Sequence, residues 1–283
     1  MASLSESASA VIEQVRSSRV HYIDLQFTDV TGLVKTVQIP ARQIESALMH
    51  GVWFDGSAIE GFARIAESDM YLRPDPSTFA VLPWENGRIG RLMCDVYTPF
   101  GEASPSDPRG VLRRAVALAR QMGYQYWVTP ELEFYLFRSP VDLQALHADD
   151  QSSYFDTGPD QSVLTSIEDA LEAIGIRVEA GHHEVGAGQY ELDFEPLEAL
   201  SMADAILTAR LAIKSIAQHN GHFATFMPKP LAGIAGSGMH VHQTLLDAAG
   251  ETNAFAGPSS DLSPVGRSFV AGQLEHARGM CAV

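Results

Sequence analysis

The chain has 283 residues, 46% hydrophobic and 19% charged, enough for one large domain or two ordinary ones and too apolar for global disorder. Its 35 acidic residues outnumber 19 basic ones, for a net charge of −16 at pH 7. That balance excludes nucleic acid or an anionic membrane as a partner of the bulk surface, and suits solubility or carboxylates gathered around metal cations.

In chain order, Leu4, Ala8, Val11, Ile12 and Val15 recur at helical spacing and predict a short amphipathic helix over residues 4–18. The run Val20–Phe27 alternates as a strand, Gly32 turns the chain, and Leu33–Ile39 reads as the partner strand of a hairpin. Pro40 stops it, and a short helix over 41–50 closes at Gly51. The stretch from Phe54 to Phe62 reads as too polar and glycine-rich for regular structure, and strands follow near 79–82 and 89–97. Residues 98–109, with three prolines, a glycine and two serines, are the best linker candidate. This gives a small mixed sheet with one or two helices as a first domain, 1–105.

The second half, 106–283, changes rhythm. A helix is expected at about 107–122, a strand through 127–137, a polar loop over 139–160 and a helix at 161–174. Strands at 176–184 and 189–195, joined by Gly186-Ala187-Gly188, precede a helix over 201–219 and strands near 222–227 and 238–246. With no internal repeat, this order predicts an α+β domain on an antiparallel sheet. No run nears the roughly 18 apolar residues of a membrane span. The start, Met1 to Glu6, lacks the basic and apolar regions of a signal peptide, and Cys94 and Cys281 read as two reduced thiols.

Chemistry gathers in three stretches. Glu131 and Glu133 stand at i and i+2, on one face of a strand whose other face carries Leu132 and Phe134. Two strands around Gly186–Gly188 would place Glu184 and Glu191 opposite each other or nearly so. His240 and His242 repeat the i, i+2 spacing after the glycine-rich Gly236-Ser237-Gly238. No Walker loop or complete dinucleotide fingerprint occurs. Glu131, Glu133, Glu184, Glu191 and His240 form an oxygen-rich donor set without thiolate, suited to Mg²⁺ or Mn²⁺ rather than zinc or copper. Two such ions could clamp a transferring phosphoryl group.

These residues resemble the glutamine synthetase family, type I bacterial form. The likeness is carried by Phe54-Asp55-Gly56-Ser57-Ala58-Ile59, Glu67-Ser68-Asp69-Met70, Pro130-Glu131-Leu132-Glu133-Phe134, the His182–Glu191 segment, Lys229-Pro230 and Gly236–His242. The resemblance implies a small N-terminal β-grasp-like domain before a catalytic domain, Glu133, Glu184 and Glu191 at one metal site, and Glu131 and His240 at a second. It assigns Glu179, His182, His242 and Thr244 to nucleotide, and Glu131, Ala235, Gly236 and His240 to glutamate. Asp55 would bind and deprotonate ammonium across a subunit interface. The implied reaction is ATP-dependent phosphorylation of the γ-carboxylate of glutamate, followed by displacement of phosphate by ammonia. The expected setting is a cytoplasmic dodecamer of two stacked hexameric rings.

Two departures mark this chain. Ala235 stands where the family often has Asn, which brings in a γ-glutamyl–amine or polyamine ligase as the alternative. The family runs past 400 residues, so a catalytic domain lacking its C-terminal part is expected, and with it a fragment that only binds metal, nucleotide or other subunits.

Overall fold

The computed structural model describes residues 4–59, 69–138, 150 and 152–281. Helix α1 (Glu6–Ser17) starts at Ser5, whose hydroxyl accepts from the Ala8 N–H, and buries Ala8, Val11, Ile12 and Val15. It packs with α2 (Ile44–His50) against a six-stranded sheet of β1 (Tyr22–Thr28), β2 (Val34–Pro40), β3 (Val52–Asp55), β4 (Asp69–Pro74), β5 (Ala80–Val81) and β6 (Ile89–Tyr97). The order is β2-β1-β6-β4-β3, with β5 also on β6; β1 and β6 run parallel and the other pairs antiparallel.

Strands β3 and β4 were not expected from the sequence. Met70, Leu72 and Pro74 alternate inward along β4, but the run is short and ends in proline. Phe54 and Asp55 lie on β3 rather than in irregular chain, and Gly56–Ala58 form a single 3-10 turn. Residues 60–68, with Glu67 and Ser68 of the motif, lie outside the described residues, as do 1–3, most of the expected 139–160 loop, and 282–283.

The expected linker is tied down at its far end. Ser104 and Asp107 are buried, and Pro108 and Arg109 already belong to α3 (Pro108–Gln121). Asp107 caps that helix through Oδ1 and accepts the Val96 N–H through Oδ2.

The second sheet is antiparallel throughout, as expected. Its long strand β7 (Tyr124–Phe137) pairs with β9 (Gln189–Phe194), β10 (Leu197–Glu198), β11 (Phe223–Thr225) and β12 (Met239–Asp247), and β8 (Val178–His183) lies beyond β9. Helices α3, α4 (Gln161–Glu172) and α5 (Ala199–His219) cover one face, and α6 (Pro264–Met280) follows. Leu132, Phe134 and Leu136 from β7, Tyr190, Leu192 and Phe194 from β9, and the apolar stripes of α4 and α5 form one core. The other face carries the acidic residues and histidines, and at one end a smaller cluster of Tyr135 and Phe137 packed with Leu231 and Ile234.

Candidate active site

Register builds the site. On β7, Glu131 sits opposite His240 of β12 on one side and Asp193 of β9 on the other. Two residues along, Glu133 sits opposite Glu191, and Glu191 opposite His182 of β8. The period of two puts both rows on one face, while Leu132, Phe134, Tyr190 and Leu192 point into the core.

His182, Glu184 and Glu191 offer one ligand atom each within 4.8 Å of one another. As expected, Glu184 and Glu191 share one face and stand nearly opposite each other; the Glu184 N–H bonds the Gln189 carbonyl. Glu191 therefore faces His182, with Glu184 two residues further along the same face. Burial, then a hydrogen bond shared with Asp193 and the charges of Asp193, Glu184 and Glu133, push the Glu191 carboxyl up to about 8. Asp193 adds a buried Oδ1 with no hydrogen-bond partner. Crowded oxygens, one of them orphaned, fit a hard divalent cation, because a positive charge removes the repulsion that keeps a proton on Glu191.

The sign of this shift gives a direct expectation. The unfolded chain releases the Glu191 proton near the ordinary carboxylate range, whereas the folded chain holds it until about pH 8. Without divalent cations, Glu191 therefore subtracts stability as pH rises from about 5 to 8. The melting temperature of the chelated chain should fall across that window, and saturating Mn²⁺ should remove the fall. A flat profile in chelator would contradict the arrangement.

Glu131 accepts from His242 Nε2 at 2.6 Å and His240 Nδ1 at 2.8 Å, bonds that hold its carboxyl below the usual range, His242 contributing most. Both imidazoles are well exposed, His240 the more so. Thr244 lies further along β12 opposite Trp127. Glu179 sits on a bulge of β8, exposed and outside the cluster. Ala235 and Gly236 lie in the segment leading into β12; the Ala235 carbonyl accepts from Tyr135 and that of Gly236 from Gln189. Asp55 stands apart, exposed on the first sheet, its carboxyl lowered by the Ser57 hydroxyl and N–H.

The structure adds residues that the sequence reading passed over. Gln189 and Asp193 share the face of Glu191, and the alternation Gln189-Tyr190-Glu191-Leu192-Asp193 was the available signal. Tyr154 and Phe155 stack on each other and stand nearly perpendicular to the His182 ring, with centroids 5.4 and 4.7 Å from it.

Comparison with known proteins points to one family. Residues 19–99 match the family model "Glutamine synthetase, beta-Grasp domain" and residues 105–283 match "Glutamine synthetase, catalytic domain". The chain is 45% identical to a glutamine synthetase of Halobacterium salinarum, over 99% of this chain and 63% of that protein. It is 44% identical to one of Thermus thermophilus, over 96% of this chain and 64% of the relative. Among solved structures, a GmaS–ADP complex superposes with a TM-score of 0.89 at 30% identity, over 96% of this chain and 64% of that one. The glutamine synthetase of Plasmodium falciparum superposes at 0.85 and 25% identity, over 98% and 61%. The chain thus spans just under two thirds of the length of these relatives.

Proposed function

The chain belongs to the glutamine synthetase family, and we propose that it carries the ammonium-side domain and the cation-binding face of an ATP-dependent glutamate–ammonia ligase. The observation that supports this most is the pair of rows His240–Glu131–Asp193 and Glu133–Glu191–His182 on one sheet face. Divalent cations held there would supply positive charge against the γ-carboxylate of glutamate and the phosphoryl oxygens of ATP.

The protein's own groups divide the remaining work. Glu133, Glu184 and Glu191 are the ligands proposed for one cation, and Glu131 with His240 for the second. His242 and Thr244 on β12, with His182 and Glu179 on β8, are the residues proposed for nucleotide. The segment at Ala235 and Gly236, held from beneath by Tyr135 and Gln189, is the part proposed for the amino-acid substrate. Asp55, kept ionised by Ser57, suits an ammonium ion and would act from a neighbouring subunit's small domain. The domains divide at about residue 105, with 1–105 supplying Asp55 and 106–283 the rest.

Ala235 favours one second reading. Its methyl group cannot donate where an Asn side chain could, so a primary amine or a polyamine is the alternative acceptor. The test is phosphate release from ATP with Mg²⁺, assayed with glutamate plus ammonium and with glutamate plus primary amines. Release that requires both glutamate and ammonium supports the proposal, and release that requires an amine selects the alternative. Mn²⁺ binding without turnover by the 283 residues would make them a binding fragment whose catalysis needs the remaining third of the family length.

A further inference from the structure

Beside the acidic face, one fully buried carboxamide joins the proposed cation ligands to the glycine-rich segment. Gln189 opens β9 and is 0% exposed. Its Nε2 donates to Glu133 Oε2 at 2.7 Å and to the Gly236 carbonyl at 2.9 Å. Its Oε1 accepts the Gly186 N–H at 3.0 Å and lies 3.1 Å from the Tyr135 hydroxyl, whose one proton goes to the nearer Ala235 carbonyl at 2.7 Å. A carboxamide has two donor and two acceptor positions; here both donors and one acceptor are taken, and the second acceptor competes with the Ala235 carbonyl for the one phenolic proton. Two acceptors on one side and a backbone N–H on the other fix which way the amide points.

The close quarters are made by glycine. A Cβ on Gly238 would stand 2.8 Å from Glu133 Oε1, and one on Gly236 would stand 2.5 Å from the Pro228 carbonyl. The segment 236–238 is thus laid directly against Glu133 and tied by the Ser237 N–H to Pro228 and by the Glu133 N–H to the Gly238 carbonyl. Residue chemistry at 189 is narrowly constrained. A carboxylate there would repel Glu133 and the Gly236 carbonyl, and an aliphatic side chain would leave both without a donor. A neutral amide orients Glu133 while leaving its negative charge available to a cation.

We infer that Gln189 is a positioning residue through which a cation at Glu133 fixes the 235–238 segment, so that cation and amino-acid substrate bind cooperatively. The inference rests on the reading above, in which Glu133 serves a cation and Ala235–Gly236 serve the amino acid. Coupling follows because one rigid amide holds both: ordering Glu133 orders the Gly236 carbonyl, and by reciprocity substrate at the segment tightens the cation.

The test compares the unaltered chain with Gln189→Met, which keeps length and loses both donors, and Tyr135→Phe, which loses only the phenol. Mn²⁺ affinity is read by electron paramagnetic resonance, and amide hydrogen exchange of the 235–238 segment is followed with and without Mn²⁺. Expected are slower exchange of that segment on adding Mn²⁺ to the unaltered chain, and loss of this response in Gln189→Met. Mn²⁺ affinity should fall about 10–100-fold in Gln189→Met and roughly 2–10-fold in Tyr135→Phe. Failure of the unaltered chain to bind Mn²⁺ would overturn the proposed function and this inference together. Binding by the unaltered chain, with equal affinity in Gln189→Met or an exchange response that survives in it, would overturn the inference alone. Should circular dichroism show Gln189→Met unfolded, Tyr135→Phe decides, and unchanged affinity and exchange there would overturn it.

Discussion

Arg109→Met is expected to destabilise the chain by about 3–5 kcal/mol, the cost of removing one partner from a buried charge cluster. The guanidinium is almost fully buried at the start of α3. It bonds Asp204 of α5 through Nε and Nη2, Asp95 of β6 through Nη1 at 2.5 Å, and Asp75, just after β4, through Nη2 at 2.9 Å. Burial works against the charge, but Asp204, Asp95 and Asp75 outweigh it and raise the guanidinium's proton affinity. Methionine would fill much of the space and leave three carboxylates facing one another, with only the half-exposed Arg113 near Asp75 and Asp95. Asp204, whose carboxyl burial already pushes up, would lose its hydrogen-bonded cation altogether. Urea unfolding at pH 7 should show the loss, and at pH 5 it should shrink as the stranded acids take protons. Arg109→Met combined with Asp204→Leu should recover part of it, because a buried pair replaced on both sides by apolar groups is often neutral. Equal stability of Arg109→Met and the unaltered chain would show that the cluster does not hold the two sheets together.

That cluster also shows where sequence reading stops. Helix α1, the β1–β2 hairpin and α5 were legible because each carries its own periodicity, and their observed ends differ from expectation by few residues. The three carboxylates at Arg109 lie up to 95 residues from it in the chain, and nothing local to Asp75 or Asp204 announces that they converge. The same limit hid β3 and β4. Both are short, and their strand character comes from pairing with each other and with β6 rather than from a strong alternating run.

The site was legible to the extent that it is built from i, i+2 pairs. Glu131 and Glu133, and His240 and His242, share a face by strand geometry alone. Gln189 and Asp193 obey the same rule beside Glu191, but an amide and a second acid carry no motif, and their roles depend on register. Register was the open step: with Glu184 bonded to the Gln189 carbonyl, His182 comes directly opposite Glu191 and Glu184 lies diagonal to it on the same face. Tyr154 and Phe155 reach His182 from a loop that sequence marks only as polar, and such contacts are decided by tertiary packing.

Glu191→Gln is expected to separate stability from function. The unaltered residue is only 8% exposed, and its carboxyl, among Asp193, Glu184 and Glu133, is pushed up to about 8. In the metal-free chain above pH 5 it is therefore held protonated or held charged against repulsion, and either state costs folding free energy. Glutamine keeps the shape, carries no charge and offers the neighbouring carboxylates a donor. The substitution should stabilise the chelated chain at pH 8 by about 1–2 kcal/mol, with a rise in melting temperature of about 2–4 °C for each kcal/mol. The same change removes a negative ligand from the centre of the row Glu133–Glu191–His182. Mn²⁺ affinity should fall at least ~100-fold, beyond the effect of partners that only orient ligands, and glutamate-dependent phosphate release should fall with it. The two readouts must move in opposite directions for the proposal to stand. A variant that is more stable in chelator yet binds Mn²⁺ as well as the unaltered chain would place the cation elsewhere. A variant that loses both would make Glu191 a structural residue whose charge the fold needs, whereas a carboxylate that destabilises the metal-free sheet has a reason to be there only as a ligand.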